Sequence, residues 1–534
     1  MGSRAVRRLC AVLLTVSLAA GAAACTAEPG ARPEGIVLAD GDELGGYNPV
    51  AGHGEAGDSK IYDGLLRLAG GEGLPAFEPA LAARLPEVSV DGLRWTVPLR
   101  EGVTFTDGTA LDAADVVATY RAVLDPASAS PLATAYEMIA AVEATGPHEV
   151  RFTLRHPYAA LPAKLLLGIA PSERLTGGLA SESALNTEPV GTGPYRLASL
   201  RPDQAVLVAN EHYWDGAPQV PRLTLVHVPD DNARAQRLLA GEVDGANLPP
   251  RLAAGFADRD GFEVSANASA DWRGVSLPAG HPVTGDPAIR AALNRAVDRR
   301  AMVEHVLAGH GRPASTPLPA VYGPGYDIGA GFEHDPAAAE RLLDAAGWRR
   351  GPSGVREKAG VAAEFTVMYF PEDTLRRDLA QAFATDADRI GVRVHVRAVD
   401  RAGVPGRLPV DAALLGGGDL PFDPDPQVYK TLHSRYADPA VGSAYDNASG
   451  YVDPAVDEAL DAARRTLDPA ERAALYRRVQ EIYLEHPGYV MLVFLDHTYV
   501  GADTGYTGAL PVLEPHSHGV NWGPWWNLRE WTRE

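Results

Sequence analysis

The sequence predicts a mixed α/β protein built from at least two lobes. The chain has 534 residues, and domains typically contain about 50–250 residues, so one hydrophobic core is not expected to hold it. Hydrophobic residues make up 46% and charged residues 22% of the chain, an ordinary globular composition that excludes disorder of the whole chain. Strand-like and helix-like periodicities alternate along the chain, which favours the α/β class over an all-α or all-β fold.

The first 24 residues have the organisation of a secretion signal. A basic segment, residues 1–8, precedes an apolar segment, residues 9–20, that is shorter than the roughly 20 residues of a membrane-spanning helix. The sequence Gly-Ala-Ala-Ala-Cys25 then resembles a bacterial lipobox, although Ala22 stands where that pattern prefers leucine. We expect a signal peptide over 1–24, acylation of Cys25 and a flexible tether over 25–35. Plain secretion with cleavage near Ala24 is the alternative.

The number of cysteines and the net charge argue against disulfides, thiolate metal sites and nucleic-acid binding. Cys10 and Cys25 are the only cysteines, so the mature chain is expected to contain no internal disulfide and no thiolate metal site. The formal net charge is -21, and removal of the first 24 residues, with three arginines and no acidic residue, would leave -24. Such a surface repels phosphate backbones, so we expect no nucleic-acid partner.

Two segments show the alternation of a β-strand with one buried face. Val150, Phe152 and Leu154 alternate with polar residues, and three valines do so over residues 392–397. We predict a strand at each position.

Three segments carry the signals of amphipathic helices. Asp335 and Pro336 supply an N-cap and a first-turn proline, an apolar stripe follows, and Gly347 ends the helix. A capping-box-like start at 468–471 opens a second helix, and the apolar spacing of residues 289–297 indicates a third.

A series of segments in a fixed order identifies a family. The chain from about Gly35 to Val493 resembles the bacterial solute-binding proteins of family 5, the oligopeptide, dipeptide and nickel type. The segments are YDGL at 62–65, LRWTVPLREGVTFTDGTALDAADVVATY at 93–120, PVGTGPY at 189–195, NEHYW at 210–214, DDNARAQRLLAGEVD at 230–244, IRAALNRAVDR at 289–299, HDPAAAERLLDAAGW at 334–348 and the stretch 451–492.

The resemblance implies a two-lobed, periplasmic-binding-protein-like α/β fold of class II, with a hinge and a discontinuous first lobe. Lobe I would comprise residues 36–268 and the return of the chain at 495–534, and lobe II residues 269–494. It further implies a solute-binding subunit of an ABC importer, which closes on its ligand at the extracytoplasmic face of the cell membrane and works with a permease and an ATPase. We expect a lipid-anchored monomer without a cofactor.

Simple geometry accounts for many of these motif residues without a ligand. Asp112 can cap a helix that begins at Ala113. Gly191 and Gly193 punctuate a turn and lack the third glycine of a dinucleotide fingerprint. We therefore expect most signature residues to be structural. The aromatic tail is also expected to cap the first lobe rather than bind ligand; its tryptophans are Trp522, Trp525, Trp526 and Trp531.

The resemblance puts the ligand-contacting loop at 414–434. In peptide-binding members a carboxylate there pairs with the α-amine of the peptide, and Asp419 matches that position best; a turn residue is the alternative. Asp423 is a second ligand candidate, which a helix cap would explain equally well. Trp272 and Arg273 fall where the hinge strand of the family enters the pocket, so a ligand contact is expected there.

The same loop resembles the nickel-binding branch of the family. PFDP at 421–424 is close to that branch's PYDP, which implies that Phe422 lines the pocket and makes His433 the nearest candidate for the histidine that contacts the metal complex. His516 and His518 would share a face if they lay on a strand, which suits a metal. Lys164 stands where the branch has an arginine, and lysine lacks the bidentate fork, which weakens this interpretation.

No catalytic constellation stands out in the sequence. Cys10 lies in the signal segment and Cys25 is the expected acylation site directly after it, and neither HExxH nor G-x-S-x-G occurs. We predict a binding protein and not an enzyme, with peptide as the leading ligand. The alternatives are a nickel complex or metallophore as ligand and, in another class, a metal-dependent hydrolase built on His516 and His518.

Overall fold

Helices and strands alternate along the described residues of this computed structural model, 34–418, 420–438 and 440–534. The signal segment, Cys25 and Asp419 lie outside them, so the expectations for those residues stay predictions. The described helices are α1 (Ala113–Leu124), α2 (Leu161–Lys164), α3 (Asp231–Leu239), α4 (Pro250–Ala253), α5 (Pro287–Ala296), α6 (Arg299–His305), α7 (Pro336–Ala345), α8 (Thr374–Arg389), α9 (Pro424–Leu432), α10 (Pro454–Arg465) and α11 (Pro469–Glu485). The described strands are β1 (Ile36–Asp40), β2 (Leu66–Leu68), β3 (Phe77–Pro79), β4 (Glu87–Val88), β5 (Arg94–Pro98), β6 (Ile139–Gly146), β7 (Glu149–Leu154), β8 (Tyr195–Arg201), β9 (Gln204–Ala209), β10 (Arg222–His227), β11 (Gly245–Asn247), β12 (Phe262–Ser276), β13 (Gly311–Pro313), β14 (Arg349–Arg350), β15 (Arg356–Lys358), β16 (Val361–Ala362), β17 (Glu364–Tyr369), β18 (Arg393–Ala398), β19 (Ala412–Gly417), β20 (Tyr489–Ala502), β21 (Tyr506–Thr507) and β22 (Thr532–Arg533).

Two long antiparallel strands, β12 and β20, form the middle of the largest sheet. Within the described residues this sheet has 11 strands in the order β18-β17-β19-β12-β20-β11-β1-β10-β9-β8, with β13 also on β20. On one side β1 runs parallel to β10, and on the other β17 runs parallel to β18 and β19. The pairing of β12 with β20 is interrupted between Ala268 and Trp272, beside the predicted lobe boundary at 268/269. The lobe boundaries themselves stay predictions.

Buried apolar side chains gather in separate clusters along this sheet. One large cluster draws mainly on residues 36–225 and the C-terminal tail, and another draws on residues 275–495. The stretch Ile36–Glu534 nevertheless forms one compact unit. All four tail tryptophans are buried in the first cluster, as expected for side chains that pack rather than face solvent.

The predicted strands and helices are confirmed, with small differences. Val150, Phe152 and Leu154 are buried along β7, and Asp335 caps α7 by accepting from the Ala338 amide. The capping box predicted at 468–471 is incomplete, because Glu471 accepts from the hydroxyl of Thr466 instead of reaching back to the N-cap amide.

The motifs at 62–65, 189–195 and 210–214 meet around one partly buried carboxylate, that of Asp63. Asp63 accepts hydrogen bonds from Thr192 (3.1 Å), Tyr213 (3.1 Å) and Trp214 (2.9 Å). A Cβ atom on Gly191 would lie 2.1 Å from the carbonyl oxygen of Ile61, so only glycine fits there. The structural role predicted for these residues is therefore confirmed.

Candidate functional site

A cleft of about 780 Å³ lies beside the paired antiparallel strands β12 and β20. One wall consists of residues 40–43 after β1, His227 at the end of β10, and the start of α3. The facing wall consists of residues 372–376 after β17 and of Arg401 after β18. Loops at the carboxyl ends of parallel strands from both halves of the sheet meet here, which is the usual position of a ligand site in α/β proteins.

Ionic pairs line the cleft beside apolar side chains such as Leu248, Leu375 and Leu495. Three pairs belong to its walls: Arg234 with Asp231, Arg376 with Asp373, and Arg401 with Glu372 at 2.7 Å. Arg273 of β12 also lines the cleft, and it pairs with the fully buried Asp271. The cleft therefore suits a solute that carries charged groups of its own.

A buried imidazole beneath the cleft joins two buried carboxylates. His497 Nδ1 lies 2.8 Å from Glu514 Oε2, and Nε2 lies 3.1 Å from Asp271 Oδ2. A carboxylate can only accept, so both ring nitrogens donate, which requires the imidazolium form. Burial alone would lower the pKa of His497, but the hydrogen bonds to Asp271 and Glu514 outweigh it and raise this pKa above its usual range.

Asp271 links this imidazolium to the wall of the cleft. Its Oδ1 accepts from Arg273 and lies 2.8 Å from His516 Nδ1. Burial would raise the pKa of Asp271, yet Arg273 and then His516 hold it well below its usual range. The carboxylate is therefore ionised, and it fixes the direction of two side chains that line the cleft.

The glycines at 416 and 417 are explained by this arrangement. A Cβ on Gly416 would lie 2.4 Å from Arg273 Nη1, and one on Gly417 would lie 2.6 Å from Cζ2 of Trp272. Trp272 is only 3% exposed, and its Nε1 has no hydrogen-bond partner among the described residues. The close approach of β12 to β19 thus requires glycine, and it brings the start of the loop that contains Asp419 beside the cleft.

His518 has the protonation state of a metal ligand. Its ring stacks on that of His497 at a centroid distance of 3.8 Å, and Nδ1 donates to the carbonyl oxygen of His516 at 2.8 Å. Burial and the neighbouring His497 charge push the pKa of His518 well below its usual range. Nε2 therefore keeps its lone pair. Among the described residues, Asp271, His497 and His518 form the group whose nitrogen and oxygen atoms lie within 4.8 Å of one another. As an imidazolium, His497 has no lone pair for a metal, so His518 and Asp271 are the members that could ligate one.

Phe422 and Asp423, which were also predicted to contact the ligand, have structural contacts in the protein. Phe422 is 3% exposed and packs near Trp522, with ring centroids 6.5 Å apart. Asp423 caps α9 and forms an ion pair with Arg472, with Nη1 to Oδ2 at 2.7 Å. Both side chains are thus engaged in packing or capping, and a ligand role for either stays a prediction.

The predicted histidines separate into two groups. His516 and His518 both line the cleft, but the argument that a strand aligns them is wrong, because residues 515–518 are loop. His433 instead stacks on Tyr429 at 4.6 Å and is not in the metal-capable group of the described residues.

Lys164 belongs to a different polar cluster. Its side chain is 3% exposed, its Nζ lies 3.1 Å from Glu55 Oε1 and 4.8 Å from the Tyr136 ring centroid, and it is not among the residues that line the cleft.

Sequence reasoning missed the centre of the site. His497, Glu514 and Arg376 were not predicted, although Asp496 and His497 interrupt an otherwise apolar strand, β20, and so carried a signal. The sequence offers no comparable signal for Arg376, which resembles any polar residue of an amphipathic helix.

Comparisons with known proteins agree on one family. A sequence model described as "Bacterial extracellular solute-binding proteins, family 5 Middle" matches residues 76–439. Protein XP55 of Streptomyces lividans is 43% identical over 496 residues, which cover 91% of this chain and 90% of that protein. The oligopeptide-binding protein AppA of Bacillus subtilis is 27% identical over 66% of this chain and 67% of its own. NikZ of Campylobacter jejuni, solved in complex with Ni(L-His), superposes with a TM-score of 0.85 at 28% identity and covers 94% of this chain and 100% of its own.

In the part of the chain that the structure describes, none of the helices combines the length and apolar character needed to cross a membrane.

Proposed function

Because the chain belongs to the bacterial extracellular solute-binding proteins of family 5, we propose that it is the solute-binding subunit of an ABC importer. In this proposal it captures peptides outside the cytoplasmic membrane and delivers them to a permease that works with an ATPase. The charged cleft between two sets of strand ends carries the proposal, since a peptide brings an ammonium, a carboxylate and backbone amides to such walls.

Delivery would use hinge closure of two lobes, 36–268 with 495–534 and 269–494. Contacts between these segments support this part of the proposal: Thr374 Oγ1 donates to Asp231 at 2.8 Å, and the Tyr158 hydroxyl donates to Asp425 at 2.8 Å. A solute that binds both walls prefers the closed state and shifts the population towards it. A lipid on Cys25 would keep the protein, as a monomer, at the extracytoplasmic face of the cell membrane, near its permease.

Asp419 is proposed to pair with the α-amine of the peptide. It follows Gly416 and Gly417, whose close contacts with Arg273 and Trp272 bring the start of its loop to the cleft. A carboxylate–ammonium pair recognises every peptide regardless of its side chains.

The test is a pair of mass spectra, native and denaturing, from one purification. We expect the native spectrum to show excess mass that is absent from the denaturing spectrum. The released ligand should be sequenced as short peptides. Asp419→Ala should lose it, whereas the control Asp388→Ala, an exposed aspartate on α8, should keep it. Retained peptide in Asp419→Ala would contradict the role of that residue, and a non-peptide ligand would contradict the peptide proposal.

A nickel complex is the second candidate ligand. The observation in its favour is the neutral His518, whose Nε2 lone pair lies near His497 and Asp271. Excess mass with a nickel isotope pattern, lost in His518→Ala and kept in His486→Ala, whose imidazole is 65% exposed, would support this ligand instead. Nickel bound equally by both variants would contradict a role for His518.

A further inference from the structure

Two buried arginines of the cleft use only part of their hydrogen-bonding capacity. Arg273 and Arg376 are 2% and 6% exposed, and both line the cleft. Among the described residues, the side chain of Arg273 donates only through Nη1, to Asp271 and to the Trp272 carbonyl; the same Nη1 lies 3.2 Å from His516 Nδ1. The side chain of Arg376 likewise donates only through Nη1, to Asp373.

The edge of each guanidinium group that has no partner among the described residues is the one formed by Nε and Nη2. The Nε atoms of Arg273 and Arg376 are both buried and have no hydrogen-bond partner within the described part of the chain. Guanidinium offers Nε and Nη2 as a planar fork that matches the two oxygens of a carboxylate. Buried donors in native proteins are nearly always paired, so two such edges in one cleft require an acceptor.

Arg464 shows how this fork is satisfied elsewhere in the same protein. Its Nε and Nη2 donate to the two oxygens of Asp425 at 2.9 and 3.0 Å. Arg464 is buried to a similar degree, with a side chain 12% exposed.

Arg67 and Arg529 also have a buried Nε without a partner among the described residues, but their side chains are more exposed, at 27% and 16%, and neither lines the cleft. The pair Arg273 and Arg376 is therefore distinguished by its place in the cleft, where no carboxylate of the described residues occupies the Nε edges.

The two guanidinium groups are also close enough to oppose each other electrostatically. Burial, and the positive charge of Arg273, lower the pKa of Arg376, while Asp373 raises it. The face of Arg376 packs over the Phe370 ring, with Cζ 5.0 Å from the centroid, which holds the plane of the guanidinium in place. An anion at the free edges would pair the donors and relieve the repulsion between the two charges.

We propose that the solute carries a carboxylate and that this group binds to the Nε–Nη2 edges of Arg273 and Arg376. The proposal rests on the solute-binding function proposed above and names the chemical class of its ligand. A peptide with a free C-terminus qualifies, and so does a nickel complex of an amino acid. A peptide amide and a nickel–amine complex do not.

Competition binding read by native mass spectrometry tests the proposal. The probes are a pool of random tripeptides with free C-termini, the same pool with C-terminal amides, nickel–L-histidine and nickel–histamine. In at least one pair of probes, the wild-type protein is expected to prefer the carboxylate-bearing member by about 10- to 100-fold, the value of a charge-assisted bidentate contact.

Variants of Arg376 assign the preference to the cleft. Arg376→Gln should abolish it, and Arg376→Lys, which keeps the charge but not the fork, should reduce it several-fold. Arg389→Gln, at the exposed end of the same helix with a side chain 60% exposed, should keep it. A melting curve for each variant checks the fold, and Arg376→Lys serves if the glutamine variant unfolds.

The outcomes separate this inference from the proposed function. If the protein binds probes but prefers the carboxylate-bearing member in neither pair, the carboxylate site is refuted while solute binding stands. A preference that survives in both Arg376 variants would also refute it. If the wild-type protein binds none of the four probes, both the proposed ligand classes and the carboxylate inference are wrong.

Discussion

Replacement of His497 by glutamine should destabilise the protein by about 3–5 kcal/mol, the usual cost of breaking a buried ionic contact and leaving a charge uncompensated. His497 is 3% exposed and lies between Asp271 and Glu514, which are both fully buried. Glutamine can donate to only one of these carboxylates at a time, so the other keeps its charge without this partner. The free energy of unfolding from urea titration at pH 6 measures the effect.

The difference in unfolding free energy between the wild type and His497→Gln should also depend on pH, and this dependence is the more specific test. The pKa of His497 is raised in the folded state, so its stabilising contribution is complete below the unfolded value of about 6.5 and is lost as the pH rises through the folded value. The gap between wild type and His497→Gln should therefore be largest near pH 6 and shrink towards pH 9. The charged and titratable groups that face His497 are Asp271, Glu514 and the stacked ring of His518.

His395→Gln is the matched control. His395 lies on β18, is 54% exposed and is 3.3 Å from Glu364, and exposed pairs contribute about 0–1 kcal/mol. A His497→Gln variant as stable as this control would refute the buried imidazolium. So would a gap from wild type that is constant, or that grows, between pH 6 and pH 9.

Three further substitutions test the structural contacts by urea titration. Asp63→Ala should cost about 1–3 kcal/mol, since three side-chain donors lose their common acceptor; an unchanged midpoint would contradict that role. Gly417→Ala should cost about 1–3 kcal/mol, because the added methyl group would overlap the Trp272 ring, and a neutral result would mean that β19 is free to shift. Tyr158→Phe should cost about 1.5–3 kcal/mol, the value of a hydrogen bond to the charged Asp425, and no loss would show that this contact contributes nothing to stability.

The sequence predicted local elements well because they depend on local physics. Alternation of apolar and polar residues suffices for β7, and an aspartate before a proline suffices for the start of α7. The motif residues were also predicted to be structural, and Asp63 and Gly191 show why, since they join segments that are far apart in the chain.

The site was less predictable because its residues come together only through long-range pairing. Asp271 and His497 are 226 positions apart and meet because β12 pairs with β20. His516 and His518 reach the cleft from a loop, so the strand argument for them failed. The unused edges of Arg273 and Arg376 depend on which nitrogens find partners, and no sequence pattern records that.

Under the carboxylate-site proposal, the stability of the fold and the recognition of the solute depend on the same side chain, Asp271. Asp271 holds the imidazolium of His497 on one oxygen and the guanidinium of Arg273 on the other. Loss of His497 should therefore weaken the fold and also release Arg273 from its direction in the cleft, so that solute affinity falls with stability. Arg376 has no contact with His497 among the described residues, so Arg376→Gln should change affinity with little effect on the pH dependence of unfolding. A His497→Gln protein with full affinity would show that Arg273 is held by its other contacts, namely His516 and the Trp272 carbonyl.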